Sequence, residues 1–144
     1  MNIDEITKVL HDRGLKATAP RMKLLGAIDA YQAAMPYSEI QNAMQSIDRV
    51  TLYRTLDSLL NKGVIHKAYE SGNKVYYAIC DHYHCSADAH QHDHLHFKCT
   101  QCESVTCETP DKDLKIALAG YKIHQVSISL EGICKACTST QPNI

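Results

Sequence analysis

No run of 18 apolar residues occurs in this chain, which excludes a membrane-spanning helix. The start, Met1-Asn2-Ile3-Asp4-Glu5, lacks the basic-then-apolar profile of a secretory leader, so a cytoplasmic location is expected. Net positive charge is also missing. The formal charge is -1; residues 1 to 82 carry ten Lys/Arg against nine Asp/Glu, and residues 83 to 144 carry five against seven. That balance excludes a globally basic nucleic-acid binder, so any DNA contact has to come from a local patch. No internal repeat is evident.

Cysteine and histidine, by contrast, are plentiful. Seven cysteines are an odd number, and cytoplasmic thiols stay reduced, so ligation of a soft metal is favoured over a disulfide framework. Nine histidines strengthen that reading. At 144 residues, 44% apolar and 22% charged, the chain has room for one ordinary domain or two small ones with packed cores.

The first 62 residues read as helices. Ile3, Ile6, Val9 and Leu10 recur at helical spacing up to Gly14. A second helix fits Pro20 to Tyr31, with Thr18 as cap and Pro20 in the first turn. A third fits Tyr37 to Met44. The fourth runs from Arg49 to Asn61, between Asp48 as cap and Gly63 just past its end, on a stripe of Leu52, Leu56, Leu59 and Leu60. After Gly63 the period becomes strand-like: Val64 to Tyr69, a Glu70-Ser71-Gly72-Asn73 turn, then Lys74 to Ile79. Helices followed by a hairpin is the order of a winged helix-turn-helix.

From Asp81 to Asp93 the composition turns polar and histidine-rich, as in a linker. Beyond it, His94 to Lys98 alternates like a strand with Ser104 to Cys107 as hairpin partner. A short helix is expected from Lys112 to Ala119 and a last strand from Tyr121 to Leu130. The expected class is α+β: a winged helix-turn-helix over 1-80, a linker over 81-93, and a small α/β module over 94-144.

Cys99-x2-Cys102 and Cys134-x2-Cys137 can wrap one tetrahedral zinc ion with four thiolates, a filled shell suited to a structural role. In so small a module the core is thin, and a metal staple supplies folding free energy that burial cannot. A second group comprises His82, His84, His90, His92, His94 and His96, with Cys80 and Cys85 nearby. His94 and His96 are two apart on a predicted strand, so both imidazoles face one side. The linker histidines also fit a solvated loop that binds metal without consequence.

On the fourth helix Arg49, Thr51, Tyr53 and Arg54 lie largely off the leucine stripe, free for bases and phosphates, and Lys16, Arg21 and Lys23 can add phosphate or minor-groove contacts. Basic residues on a helix are often only a solvated face; the hairpin after this one favours DNA. An enzyme is not indicated, because a zinc deaminase needs His-x-Glu, and here His94-x-His96 is followed by Phe97-Lys98.

In order, these pieces resemble the ferric uptake regulator family, and within it the zinc uptake regulator branch. The carriers are Gly14-Leu15-Lys16-Ala17-Thr18 with Arg21, Val50-Thr51-Leu52-Tyr53-Arg54-Thr55-Leu56, His94-x-His96-x2-Cys99-x2-Cys102, and Gly132-Ile133-Cys134-x2-Cys137. The resemblance implies that the four cysteines hold structural zinc, that Tyr53 and Arg54 face the operator, and that Lys16 approaches the minor groove. It also implies a second, switching metal at the domain junction, held by His66, by Cys80 three positions after Tyr77, and by His94 and His96. One thiolate with three imidazoles suits zinc, whereas iron or manganese favours carboxylates. The histidine typical of iron- and peroxide-sensing relatives near the third helix is replaced by Ala33-Ala34-Met35-Pro36.

The linker is longer than the family pattern, so Cys85, Asp88, His90 or His92 can replace or join Cys80. Cys107 falls where several relatives carry a carboxylate ligand, and either binds metal or fills a strand. An extra site in some relatives uses a histidine where this chain has Val126, with His124 out of register. The expected protein is a zinc-responsive repressor of zinc uptake genes. It is a homodimer on double-stranded DNA with one structural and at least one regulatory zinc per chain, and it has no membrane partner or small-molecule substrate beyond the metal ion. The alternative is an iron-, peroxide/manganese- or nickel-responsive repressor.

Overall fold

The computed structural model describes residues 1–79, 95–112, 115–124 and 126–140. Four helices come first: α1 Ile3–Asp12, α2 Ala19–Tyr31, α3 Tyr37–Ala43 and α4 Arg49–Asn61. Asn2 starts α1 with a capping box, its side-chain oxygen accepting from the Glu5 amide at 2.9 Å while Glu5 accepts from the Asn2 amide at 2.7 Å. Gly14, at φ 72°, turns the chain out of that helix as L side chains rarely do. Thr18 precedes α2 but makes no side-chain cap bond; Pro20 presets the first turn instead. Asp48 caps α4, accepting from the Thr51 amide at 2.8 Å and its hydroxyl at 2.7 Å, and these bonds hold its carboxyl below the usual range.

Leu52, Leu56 and Leu59 of α4 are buried against Leu24, Leu25 and Ile28 of α2 and Ile40 of α3 in one core. Thr55 is buried among them, its hydroxyl satisfied by the Thr51 carbonyl at 2.7 Å. The hairpin follows as β2 Ile65–Ser71 and β3 Lys74–Ile79, antiparallel with an irregularity between Lys67 and Tyr69. β1, Met35–Pro36, joins the other edge of β3, giving the order β1-β3-β2. This is the helix-then-wing arrangement of a winged helix-turn-helix. β1 had no sequence signal, since two residues hold no period and Pro36, without an N–H, is confined to an edge.

A second sheet comprises β4 Leu95–Cys99, β5 Val105–Glu108 and β6 Ser129–Gly132, in the order β5-β4-β6. β4 and β5 form the expected hairpin; β6 runs parallel to β4, with Cys99 opposite Gly132. Two expectations are corrected here. Lys115 to Leu118 is not helical, and of the strand expected over Tyr121 to Leu130 only Ser129 and Leu130 are in β6. Short elements need packing to persist, and among the described residues nothing covers Ile116, Leu118 and Tyr121, which are 53%, 56% and 75% exposed. A short α5, Lys135–Thr140, follows the second cysteine knuckle. No helix among the described residues is long and apolar enough to cross a membrane.

The two sheets meet through Ala34, Ala68, Tyr76, Ala78 and Val105, a small buried cluster, and the Ala34 amide donates to the Val105 carbonyl at 2.8 Å.

Candidate metal centres and nucleic-acid interface

The parallel pairing of β4 with β6 brings the cysteine knuckles together. Cys99 ends β4, Cys102 sits in the following turn, and Cys134 and Cys137 flank the start of α5. Their four sulfurs lie within 4.8 Å of one another, and Cys102 Sγ is 3.8 Å from Cys134 Sγ. Tetrahedral zinc with Zn–S near 2.3 Å spaces its sulfurs about 3.8 Å apart, so the set fits that ion. The amides of Cys102 and Cys134 both donate to Cys99 Sγ at 3.4 Å. Those donors favour the thiolate and bring Cys99 down to about 6 from the ordinary 9.0. Cys102 is lowered too, chiefly by the Ser104 hydroxyl, whereas Cys137 is pushed up to about 12, chiefly by its contact with Cys134. Without metal, Cys99 and Cys102 favour the thiolate while Cys137 keeps its proton; a soft divalent cation would be held by thiolates.

A second group spans the two sheets. His66 of β2 is buried and its Nε2 lies 2.9 Å from His96 Nε2 of β4; Cys107 Sγ of β5 is 3.5 Å from His66 Nε2. His96 and Cys107 are direct partners across the β4–β5 ladder, so one strand register aims both at His66. The three ligand atoms lie within 4.8 Å of one another, a spacing that suits a metal ion. Of the four residues expected at the junction, His66 and His96 come together; Cys80 and His94 lie outside the described residues, as do His82, His84, Cys85, Asp88, His90 and His92. Cys107 is the member that sequence reasoning left open. The signal existed: a hairpin turning over Thr100 to Ser104 pairs Lys98 with Val105, and the same register sets His96 against Cys107.

The contacts around this group fasten the wing to the second sheet. Lys98 Nζ donates to the Tyr76 hydroxyl at 3.2 Å and to the Glu103 carbonyl at 2.8 Å. It also stands 4.9 Å from the Tyr76 ring centre and 5.5 Å from that of Tyr69. Tyr69 reaches Glu131 at 3.3 Å. Glu103 and Ser104 follow Cys102, so the first knuckle and the wing share one contact surface.

On α4, Arg49, Tyr53 and Arg54 are exposed; Arg54 lies opposite the leucine stripe, Tyr53 on its flank, and Arg49 at the first helical position. The Thr51 hydroxyl donates to Asp48 instead of pointing free. Lys16 is exposed, and Arg21 donates to its carbonyl at 3.0 Å and to Ser58 Oγ of α4 at 3.3 Å. Arg21 therefore ties the Lys16 loop to α4, and Lys23 donates to Ser46 at 2.7 Å.

The model of the ferric uptake regulator family matches residues 12–131. The chain belongs to the ferric uptake regulator family. That family comprises metal-responsive, DNA-binding transcription regulators. The chain is 29% identical over 146 residues to the zinc uptake regulation protein of Escherichia coli, covering 93% of this chain and 80% of that protein. It is 27% identical over 143 residues to the ferric uptake regulation protein of Staphylococcus aureus, covering 95% and 98%. A solved zinc uptake regulator complexed with zinc and DNA shares the fold, with a TM-score of 0.65 at 24% identity over 94% of this chain and 92% of that one. Regulators of two different metals thus stand at similar distance, and the choice between them rests on the ligands.

Proposed function

We propose that this member of the family is a zinc-responsive, sequence-specific repressor of zinc uptake genes that binds double-stranded operator DNA as a homodimer in the cytoplasm. Residues 1-80 form the reader, 81-93 the linker, and 94-144 the dimerisation and metal-binding module. One zinc per chain is held by Cys99, Cys102, Cys134 and Cys137 for stability. A second is held at the junction by His66, His96 and Cys107, with Cys80 and His94 as further candidates. The observation that carries the reading is the convergence of His66 and His96, 2.9 Å apart on different sheets, with a thiol beside them.

Two imidazoles and a thiol are borderline-soft donors, a set that favours zinc over iron or manganese. Because His66 belongs to the wing and His96 and Cys107 to the second sheet, a cation on these donors would fix one module against the other. In a two-fold dimer that angle sets the spacing between the two copies of α4, and operator half-sites must match it. Lys16, Arg49, Tyr53 and Arg54 are the proposed DNA-contacting side chains. Arg21 positions the Lys16 loop, and Thr51 acts through the α4 cap.

Metal analysis of the purified protein, combined with operator binding in the presence of one metal at a time, tests the reading. Two zinc ions per chain and operator affinity raised by zinc are expected. A response to iron, manganese or nickel but not to zinc would replace zinc as the sensed metal.

A further inference from the structure

Val50 stands 59% exposed at the second position of α4. The buried stripe of that helix is Leu52, Thr55, Leu56 and Leu59. At about 100° per residue, Val50 lies about 170° from the centre of that stripe, with Arg54 about 40° to one side and Tyr53 about 60° to the other. It therefore occupies the crest of the outward face, between a guanidinium and an aromatic ring that is itself 69% exposed.

An exposed apolar side chain needs no special reason on a protein surface. Here three features coincide. Valine is a poorer helix former than alanine or lysine, and at this position, mostly exposed, it gains little from burial. It sits in the first turn, the part of a recognition helix that meets base edges when the helix enters the major groove. The crest of the face is the part that penetrates deepest. Asp57, on the same face, lies two turns further on and accepts from Asn61 at 3.2 Å, leaving the leading turn to Arg49, Val50, Tyr53 and Arg54.

The apolar feature in the major groove is the C5-methyl group of thymine, which valine's methyls can cover but cannot hydrogen-bond. We infer that Val50 is a specificity-determining residue that packs on a thymine C5-methyl in each operator half-site. The inference rests on the DNA-binding reading above and adds to it the base feature that one residue reads.

The test uses the full-length, zinc-loaded protein and duplexes it selects from a random-sequence pool. Each thymine in the protected region is replaced in turn by deoxyuridine, which lacks only the methyl group. At one position per half-site the replacement is expected to weaken binding about fourfold, which is the ~0.8 kcal/mol of one buried methyl group converted at ~1.4 kcal/mol per tenfold. Val50→Ala should abolish the sensitivity at that position and leave other positions unchanged. Val50→Thr, which keeps one methyl, should retain part of it. Three results overturn the inference alone: a wild type indifferent to every methyl, a Val50→Ala protein that weakens on thymine and deoxyuridine duplexes alike, or a sensitivity that vanishes only with Tyr53→Ala. Failure to select any duplex overturns the regulator reading as well, and is seen before any thymine is changed.

Discussion

Cys99 accepts two amide hydrogens, and that pair governs how the metal-free cysteine cluster answers to pH. Its thiol sits at about 6 in the fold against 9.0 ordinarily, so ionisation favours folding; this contribution is complete above pH 9 and is lost as pH falls through about 6. Cys137 behaves oppositely: with its thiol at about 12, its contribution is complete below pH 9 and is lost as pH rises through about 12. Thiolate absorbance of chelator-treated protein should show a first ionisation near 6, one that Cys99→Ser removes. All thiols titrating together near 9 would contradict this. At the junction, Cys107→Ser should weaken the second zinc site by at least about tenfold, a loss that even an outer partner of a metal ligand commonly causes, with the cysteine-bound zinc retained. Isothermal titration with zinc measures both. The knuckles were legible in the sequence because a C-x2-C spacing is local. Cys107 was legible only as an open choice between ligand and strand residue, because its role depends on a strand register and on a histidine 41 residues earlier.

At the scale of elements, α4 was legible to its ends, since Asp48, the leucine stripe and Gly63 are all local signals. Leu59, fully buried, anchors that helix; Leu59→Ala should cost the reader about 2–5 kcal/mol, measured by denaturant unfolding. Segments whose order depends on a distant partner were misread. Lys112 to Ala119 carries a helical pattern, yet among the described residues nothing covers Ile116 and Leu118, which stay exposed. α5 was missed because six residues give too short a period, and its first turn, where the Thr138 amide donates to the Cys134 carbonyl at 2.8 Å, includes Cys137. Lys98 joins elements, bonding Tyr76 and the Glu103 carbonyl while lying over two aromatic rings. Lys98→Ala should loosen the wing from the second sheet by about 1 kcal/mol. Zinc-dependent operator affinity should then fall about fivefold while both metal sites fill normally; unchanged affinity would mean that this fastening does not bear on DNA binding.

For the whole molecule, the exposed apolar residues cluster late in the chain. Ile116, Leu118, Tyr121, Ile123, Val126, Leu130 and Ile133 all lie open, beside or within the sheet that carries the first cysteine knuckle. A second copy would cover such a surface, and Leu118→Lys combined with Tyr121→Lys should turn a dimer into a monomer in sedimentation equilibrium, without loss of the cysteine-bound zinc. An unchanged dimer would place the contact elsewhere.

The central claim is that zinc acts by joining His66 of the wing to His96 and Cys107 of the second sheet. The most direct measurement is zinc-dependent operator affinity of His66→Ala, with its circular dichroism spectrum and cysteine-bound zinc checked in parallel. The expected result is a folded protein that keeps one zinc per chain and loses about a hundredfold in zinc-dependent affinity, about 2.7 kcal/mol. A folded His66→Ala protein that binds the operator with full zinc dependence would contradict the account.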